Sequence, residues 1–465
     1  MNWFSPRSMV PRNGQNGDIP TAREAYGAFF RIALPAVTES ISIALIGLVS
    51  MVMVGGLGPA ALTAVGLSGE PRMIFFAPFI ALNVGVMAII ARRKGAGDQK
   101  AARLCLRQAL MVAVVLGLLM TLLSLALSRP IMQLAGAQAD TLSYAVTYFR
   151  IVSLALVFNV VTGLINVCQK GVGNARVPLV VNVSAHLVNV ALHLVLIEGR
   201  LGFPAMGIAG AGVAVLVSGV FSAGLAVFFV SHRGAYLYLS LRAKGLWRLH
   251  RETLQSIARI GKGAAFEQLF LRVGFFAFTR VVASLGTAEF AAHQITVQAM
   301  ALSFTLAEGL GAAAAALMGQ QLGAKRPDLA AMYGKMGVRI GLLASALLCV
   351  LTLVGRFAFP ALFTEEAEII HMAAALMVLL MWLQPIQTIQ FVLAGALRGA
   401  GDIRFVAFTM LLAIGMARPL ISFSFVFLLD FGLMGAWYAV FFDQTLRLVL
   451  LYTRFARGKW TKVRV

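Results

Sequence analysis

Three dissimilar signatures in this chain recur at one interval, and that interval limits what the chain can fold into. Leu57-Gly58 returns 228 residues later as Leu285-Gly286. Gly95-Ala96-Gly97-Asp98 returns at the same step as Gly323-Ala324-Lys325-Arg326. So does Lys170-Gly171-Val172-Gly173-Asn174-Ala175-Arg176, as Arg398-Gly399-Ala400-Gly401-Asp402-Ile403-Arg404. A constant offset without gaps means two copies of one unit, so the second half repeats the fold of the first.

Composition names the solvent. Of 465 residues, 60% are hydrophobic and only 12% charged, with a mean hydropathy of +0.86. A soluble chain could not bury that much apolar surface, so the bilayer takes the place of water. Two repeats in a membrane are the parallel-repeat plan of a transporter. The first 30 residues carry Pro6, Pro11, Gly14, Gly17 and Pro20 and lack an apolar core, so no cleavable signal peptide is expected there. They read as a disordered cytoplasmic lead-in that ends in a short interfacial helix near 26–31. Cys105, Cys168 and Cys349 lie in or beside apolar segments without metal-ligand spacing, and read as buried free thiols.

Apolar runs of spanning length number twelve: 32–57, 73–91, 108–128, 141–168, 178–197 and 207–230, then 263–284, 292–319, 338–355, 369–397, 405–428 and 434–453. The expected fold is an all-α integral membrane protein with twelve transmembrane helices in two repeated six-helix lobes. Its parts are a lead-in (1–31), a first lobe (32–230), a cytoplasmic linker (231–262), a second lobe (263–453) and a basic tail (454–465). Charge tests this map independently. With both termini cytoplasmic, most of the 39 Lys and Arg fall in the cytoplasmic segments. The outward loops hold only Arg72, Arg129, Arg200 and Arg356, together with eight acids: Glu70, Asp140, Glu198, Glu289, Glu365, Glu366, Glu368 and Asp430. That asymmetry is a positive-inside signal. The net charge of +21 therefore belongs to one membrane face. Basic residues scattered over seven segments do not make a nucleic-acid-binding module.

Ionisable residues inside the spans are where chemistry is expected, because charge in a bilayer interior is costly. Asp443 and Arg447 are four apart, the spacing of a local ion pair. Arg150 lies near the outer end of its span and is expected to snorkel. Arg418 precedes Pro419 and is expected to satisfy carbonyls that the proline frees. Glu39 and Glu267 stand 228 residues apart, at one place in each repeat, about two turns in from the cytoplasmic edge. An unpartnered carboxylate there can bind a proton or a cation; the alternative is packing near the interface or pairing with arginine, Arg272 for Glu267. Glu308, beside Gly309 and Gly311, is a third candidate.

Six segments resemble the multidrug and toxic compound extrusion (MATE) family of bacterial transporters. They are Gly55-Gly56-Leu57-Gly58 leading to Ala64-Val65-Gly66-Leu67, Ala91-Arg92-Arg93-Lys94-Gly95-Ala96-Gly97-Asp98, and Gly202-Phe203-Pro204-Ala205-Met206-Gly207-Ile208-Ala209-Gly210-Ala211 in the first half. In the second they are Ala291-Ala292-His293-Gln294-Ile295, Gly319-Gln320-Gln321-Leu322-Gly323-Ala324 and Leu397-Arg398-Gly399-Ala400-Gly401-Asp402. The resemblance covers about residues 30–453. It implies a MATE-like, two-lobed antiporter of the bacterial inner membrane that exports cationic or amphipathic small molecules in exchange for H⁺ or Na⁺. It implies no cofactor, no metal and no catalytic residue, and a two-lobed exporter needs no partner to form its cleft, so a monomer is expected.

The resemblance also locates departures. The family's first-helix Asp falls at Ser50, its fifth-helix Asn and Asp at Asn189 and His193, and its fourth-helix Asn at Asn166. The tenth-helix Asp falls at Gln387 and the seventh-helix Glu near Leu271, one turn from Glu267. Glu39 and Ser50 are eleven residues apart and share one helix face. Glu39 is thus expected to carry the first lobe's carboxylate, with Asn166, Asn189 and His193 completing the polar set; an imidazole titrates near neutral pH, and the alternative for His193 is a lone histidine hydrogen-bonded within the helix bundle. In the second lobe Glu267, Gln384 and Gln387 are expected to face the cleft. Phe75, Phe76, Phe270, Phe275, Met300 and Phe304 are candidates for apolar lining. A lipid-linked precursor flippase or a dedicated metabolite exporter of the same superfamily is the alternative, which Arg272, Arg280 and Arg418 keep open. A channel is disfavoured by the lack of a filter segment, and an enzyme by the lack of HExxH, nucleophile-elbow or carboxylate-metal patterns.

Overall fold

The computed structural model describes residues 4–10, 17–55, 57, 59–135, 137, 141–197, 199, 202–232, 234–239 and 250–463. Within its helices, the side chains of 44–52, 55, 59–63, 70, 256–267, 269, 270, 273, 287, 302 and 462 lie outside that description. Ser50, Glu267 and Phe270 fall among these.

The first repeat makes six passes. Helix α1 spans Ala22–Gly55, α2 Pro59–Gly95 and α3 Gln99–Ala126. A short α4 (Ser128–Leu134) leads to α5 (Leu142–Leu154) and α6 (Leu156–Gly171), which form one pass bent by 45°. Then come α7 (Arg176–Leu196) and α8 (Gly207–Ser231). The second repeat runs α9 (Arg251–Ala283), α10 (Thr287–Gly323), α11 (Pro327–Val354) and α12 (Ala367–Gly399). Its fifth pass joins α13 (Ile403–Met410) to α14 (Arg418–Phe423) through a wider turn at Leu411–Ala417, with a second wide turn at Ser424–Leu428. Helix α15 (Gly432–Ala456) closes the chain. Among the described residues, eight helices are long and apolar enough to cross a membrane, nine with the bent pair. The expected span 141–168 is thus two helices, and Arg72, expected in a loop, lies within α2.

Two observations carry the repeat into three dimensions. Left-handed backbone recurs at the 228-residue step: Gly97 (φ 73°) with Lys325 (φ 59°), Gly173 (87°) with Gly401 (89°), and Gly202 (82°) with Asp430 (52°). Asp430 and Lys325 hold a conformation that costs a residue with a Cβ about 1–2 kcal/mol, so turn geometry outlasts the glycine that suits it. The outer stripes recur too. Val115, Leu119, Leu122 and Leu123 on α3 are exposed, and so are their equivalents Leu343, Leu347, Val350 and Leu351 on α11. A helix that presents such a face has lipid, not water, beside it.

The chain divides into two compact units: an N-unit, Thr38–Gly261, and a C-unit, Met1–Val37 with Lys262–Val465. The core of the N-unit gathers Val54, Met132, Phe149 and Val152, and that of the C-unit Phe278, Leu380, Trp437 and Val440. The first 37 residues belong to the C-unit because its helices leave them room. A Cβ on Gly309 would lie 2.8 Å from the backbone nitrogen of Val37, and one on Gly337 3.4 Å from the Phe29 ring.

The described residues of the lead-in, 4–10 and 17–31, are packed rather than disordered as expected, while 1–3 and 11–16 lie outside the described residues. Met9 is fully buried, and Ser8 Oγ accepts a 3.0 Å hydrogen bond from Arg339 Nη1. Arg326 Nη2 donates to the carbonyl of Asp18 (2.9 Å). Helix α1 begins at a reciprocal cap: Thr21 N–H donates to Glu24 Oε2 (2.9 Å), and Glu24 N–H to Thr21 Oγ1 (3.3 Å). The backbone bond and then the hydroxyl bond from Thr21 hold the Glu24 carboxyl below its usual range. At the other end of the N-unit, the carbonyl of Tyr236 accepts from Gln99 Nε2 (3.0 Å) and Arg103 Nε (2.9 Å). The first part of the linker 231–262 thus packs on α3, while 240–249 lie outside the described residues.

Helices α10 and α12 meet along a seam of small residues, where a Cβ at Gly395 would run into the backbone of Gly311 and one at Gly399 into that of Ala315. Gly395→Val should cost about 1–3 kcal/mol, read as a lowered melting temperature of the detergent-purified protein. An unchanged melting temperature would contradict this packing.

Candidate functional site

Polar residues cross the N-unit in stripes at helical spacing. On α6 the stripe is Asn159, Thr162, Asn166 and Lys170; on α7 it is Asn182, His186, Asn189 and His193; on α8 it is Ser218 and Ser222. Steps of three and four residues place each set on one helix face. The faces converge, with Arg72, Phe76 and Asn83 of α2 and Glu39 of α1, on a cavity of about 650 Å³. That volume suits a drug-sized molecule.

Glu39 is the acid of this cavity and is 3% exposed. Its Oε1 accepts hydrogen bonds from Lys170 Nζ (3.0 Å) and Asn182 Nδ2 (2.6 Å), and Oε2 lies 2.9 Å from the same ammonium. Asn182 Oδ1 in turn accepts from Asn166 Nδ2 (3.1 Å). The expectation of an unpartnered carboxylate is corrected: an ammonium from α6 neutralises it, since an isolated charge here would lack both water and counter-ion. Farther along α7, Asn189 Nδ2 donates to Ser218 Oγ (3.3 Å), and His193 Nδ1 is bonded to the carbonyl of Asn189 (2.8 Å). Thr162 and Ser222 share a 2.9 Å hydroxyl bond.

Of the residues singled out from sequence, the structure brings Glu39, Asn166, Asn189 and His193 together around one cavity. Phe76 lines it too; Phe75 packs on Phe149 instead (6.3 Å). Reading single residues missed Lys170, Asn182 and His186. The signal was present: Asn182 and His186 extend the Asn189–His193 spacing backwards through an apolar helix.

The C-unit candidates are arranged differently. Within the C-unit Gln384 and Gln387 are 1% and 0% exposed, and Gln384 Nε2 donates to Thr352 Oγ1 at 3.4 Å. Both polar atoms of Gln387 lack a partner among the described residues. Glu308 is exposed on α10. Phe304 packs on Phe391 (4.2 Å) and Met300 joins the core.

Asp443 pairs with Arg447 (2.7 Å) as its spacing predicts, but it also binds Arg418. Arg418 therefore answers a carboxylate rather than the carbonyls freed by Pro419. Its guanidinium also lies over the rings of Phe275 (4.9 Å) and Phe278 (5.3 Å). Arg150, expected to snorkel, donates from Nε to Ser128 Oγ (2.8 Å).

The MatE family profile matches this chain twice, at residues 35–195 and 264–423. The chain belongs to the MatE family. One match falls within each repeat. MatE relatives extend nearly end to end. A probable multidrug resistance protein NorM of Thermotoga maritima is 27% identical over 96% of this chain and 94% of its own length. The multidrug resistance protein PmpM of Pseudomonas aeruginosa is 26% identical over 92% and 90%. Among solved structures, a multidrug resistance MATE family transporter of the MOP superfamily in an outward-facing conformation superposes with a TM-score of 0.86, at 21% identity over 94% of this chain and 97% of that one. A MOP superfamily transporter from Pyrococcus furiosus, described as having a binding pocket of reverse polarity, does so equally (0.86, 21%, 95% and 97%). These likenesses establish the fold: an all-α membrane protein of twelve transmembrane helices in two repeated lobes. As a MatE protein the chain is a multi-pass membrane transporter of small molecules, not an enzyme.

Asp443→Asn should remove the carboxylate shared by two guanidiniums that are 2% and 3% exposed. A loss of about 3–5 kcal/mol is expected, seen as a collapse of monodisperse yield and melting temperature. Glu39→Gln should cost less, because Lys170 is 18% exposed into a cavity.

Proposed function

We propose that this MatE protein is a secondary active antiporter of the bacterial inner membrane. It exports cationic or amphipathic small molecules in exchange for H⁺ or Na⁺ by alternating access, as a monomer with both termini cytoplasmic. The observation that carries this reading is one buried carboxylate, Glu39, at a drug-sized cavity, neutralised by the partly exposed ammonium of Lys170.

The chemistry is competition for a single negative group. A cationic substrate that reaches Glu39 displaces the Lys170 ammonium from it; a proton or Na⁺ arriving from the other side does the same and removes the reason for the substrate to stay. Exchange follows when the two ligands favour different arrangements of the protein, since a ligand shifts an equilibrium only by its differential affinity. Asn182 and Asn166 hold the carboxylate in place through either exchange. Phe76 offers apolar surface, while the asparagine and serine stripes accept polar groups.

A second reading draws on one specific observation: the cavity wall also holds Arg72, so its cations outnumber its acids. A dedicated exporter of a polar metabolite, or a flippase for a lipid-linked precursor, would use such a lining.

Ethidium accumulation in an efflux-deficient bacterium separates these readings. Wild type should lower cell-associated dye, and Glu39→Gln should reduce the initial efflux rate by about tenfold, a loss of roughly 1.4 kcal/mol of coupling. Glu267→Gln tests the equivalent position of the second repeat, and omission of Na⁺ assigns the ion. Intact transport with glutamine at both positions would refute the carboxylate mechanism. Unchanged dye with wild type well expressed would favour the metabolite or lipid reading.

A further inference from the structure

Arg72 stands in the wall of two cavities of the N-unit at once. One is the large cavity that holds Glu39; the other is an annex of about 80 Å³ among α2, α3, α5 and the start of α6. A volume so far below that of a drug-sized ligand suits a single functional group. Spacing explains the position. Val65, Ser68, Arg72 and Phe75 follow one another along α2 in steps of three and four, so they share a helix face. Phe75 packs on Phe149 of α5 (6.3 Å), which seats that face, and Tyr148 beside it lines both cavities as Arg72 does.

The polar groups of the annex are of two kinds. Ser68 Oγ donates to the carbonyl of Ala64 (2.7 Å) and Ser124 Oγ to that of Thr121 (2.9 Å), so those hydroxyl protons are spent on backbone. Arg72 is exposed and has no carboxylate partner among the described residues. No acid among them lines the annex, and the acid of the large cavity, Glu39, is held by Lys170. An arginine within a membrane span that faces a cavity rather than an acid marks a path for an anionic group. The two charged places lie at opposite ends. Val54 and Glu39 both line the large cavity, and fifteen residues of α1 separate them, a rise of about 22 Å. Val54, Val65, Phe75 and Tyr148 share one apolar cluster, so Arg72 belongs to the Val54 end. A drug-sized molecule therefore meets Glu39 and Arg72 in turn, not together.

We propose that the annex is a subsite for a carboxylate on the exported molecule, with Arg72 as its anchor and the Tyr148 hydroxyl as a second donor. The preferred substrate is then amphoteric: its cationic group engages Glu39 at loading, and its carboxylate engages Arg72 on the way out. The inference rests on the export reading above and names the substrate class of that cavity. The same guanidinium repels a molecule that carries positive charge alone, so Arg72 sorts amphoteric solutes from permanent cations. A planar carboxylate accepts two parallel hydrogen bonds from arginine, a geometry that lysine does not reproduce.

Rhodamine 110 and its methyl ester, rhodamine 123, share one cationic ring system and differ in a free carboxylate. The test measures efflux of each from an efflux-deficient bacterium and binding of each to the full-length protein in detergent, by fluorescence anisotropy. Wild type should favour the acid over the ester. Arg72→Gln should lower that acid-to-ester ratio about tenfold in both assays, and Tyr148→Phe about threefold. Arg72→Lys should recover part of the ratio, and Lys100→Gln, at an exposed lysine of the N-unit, should leave it as in wild type. In wild type, where folding is not at issue, rhodamine 110 and not rhodamine 123 should protect Arg72 from phenylglyoxal. A binding preference for the acid without efflux of either dye would refute the export reading and support the subsite. Equal protection by inorganic phosphate would make the annex a site for a free anion and overturn its role in substrate choice. Equal binding of the two dyes by wild type, binding of neither, or an unchanged ratio in Arg72→Gln would overturn the proposal outright.

Discussion

Lys170 reaches Glu39 across 131 residues of sequence, and the N-unit is built around the reason it must. A carboxylate inside a bilayer has no water to solvate it, so it stays ionised only beside a counter-charge with its lone pairs satisfied. Meeting that condition takes an ammonium from α6 and an amide from α7, brought to the face of α1 that carries Glu39. The same demand sets the neighbours: Asn166 bonds Asn182, so the amide that orients Glu39 is itself oriented. A cavity lined this way is polar inside a protein whose outer faces on α3 and α11 are leucine and valine.

The C-unit meets the condition by closure. Asp443, Arg418 and Arg447 are at most 3% exposed and share one cluster roofed by phenylalanine rings. Nothing comparable exists at the equivalent places of the first repeat, where Val190 and Val215 stand for Arg418 and Asp443. The two halves therefore share a backbone and not a charge pattern. Turn geometry is retained even at Lys325 and Asp430, while buried charge has been placed independently in each half. A cluster with all three members buried and mutually bound suits packing; a pair that opens into a cavity suits exchange with a ligand.

Much of this was legible in the residues. The 228-residue offset, hydropathy and the asymmetry of Lys and Arg suffice for twelve helices in two repeats, because helix length and membrane thickness are linked by a fixed rise per residue. Glu39 was legible as an acid where acids are costly, and Asp443–Arg447 as a pair one turn apart. The partner of Glu39 was not. Lys170 lies in a glycine-rich turn motif at a helix end, where a lysine ordinarily faces water, and only the placement of α6 against α1 turns it inward. The lead-in misled for a related reason: prolines and polar residues signal disorder locally, yet Met9 finds a buried site that only the folded C-unit supplies. Gln384 and Gln387 were legible as amides in an apolar helix, but their burial within the C-unit was not.

What the sequence by itself determined is everything periodic: span length, repeat, the membrane as solvent, and the helical faces along which Asn159 to Lys170 and Asn182 to His193 fall. These depend on local geometry, which one chain segment carries alone. What only the tertiary structure decided is which charge meets which: Lys170 rather than an arginine for Glu39, and Arg418 as well as Arg447 for Asp443. Coulombic energy in a low-dielectric interior varies with distances of a few ångströms, and such distances are set by how helices far apart in sequence come to lie together.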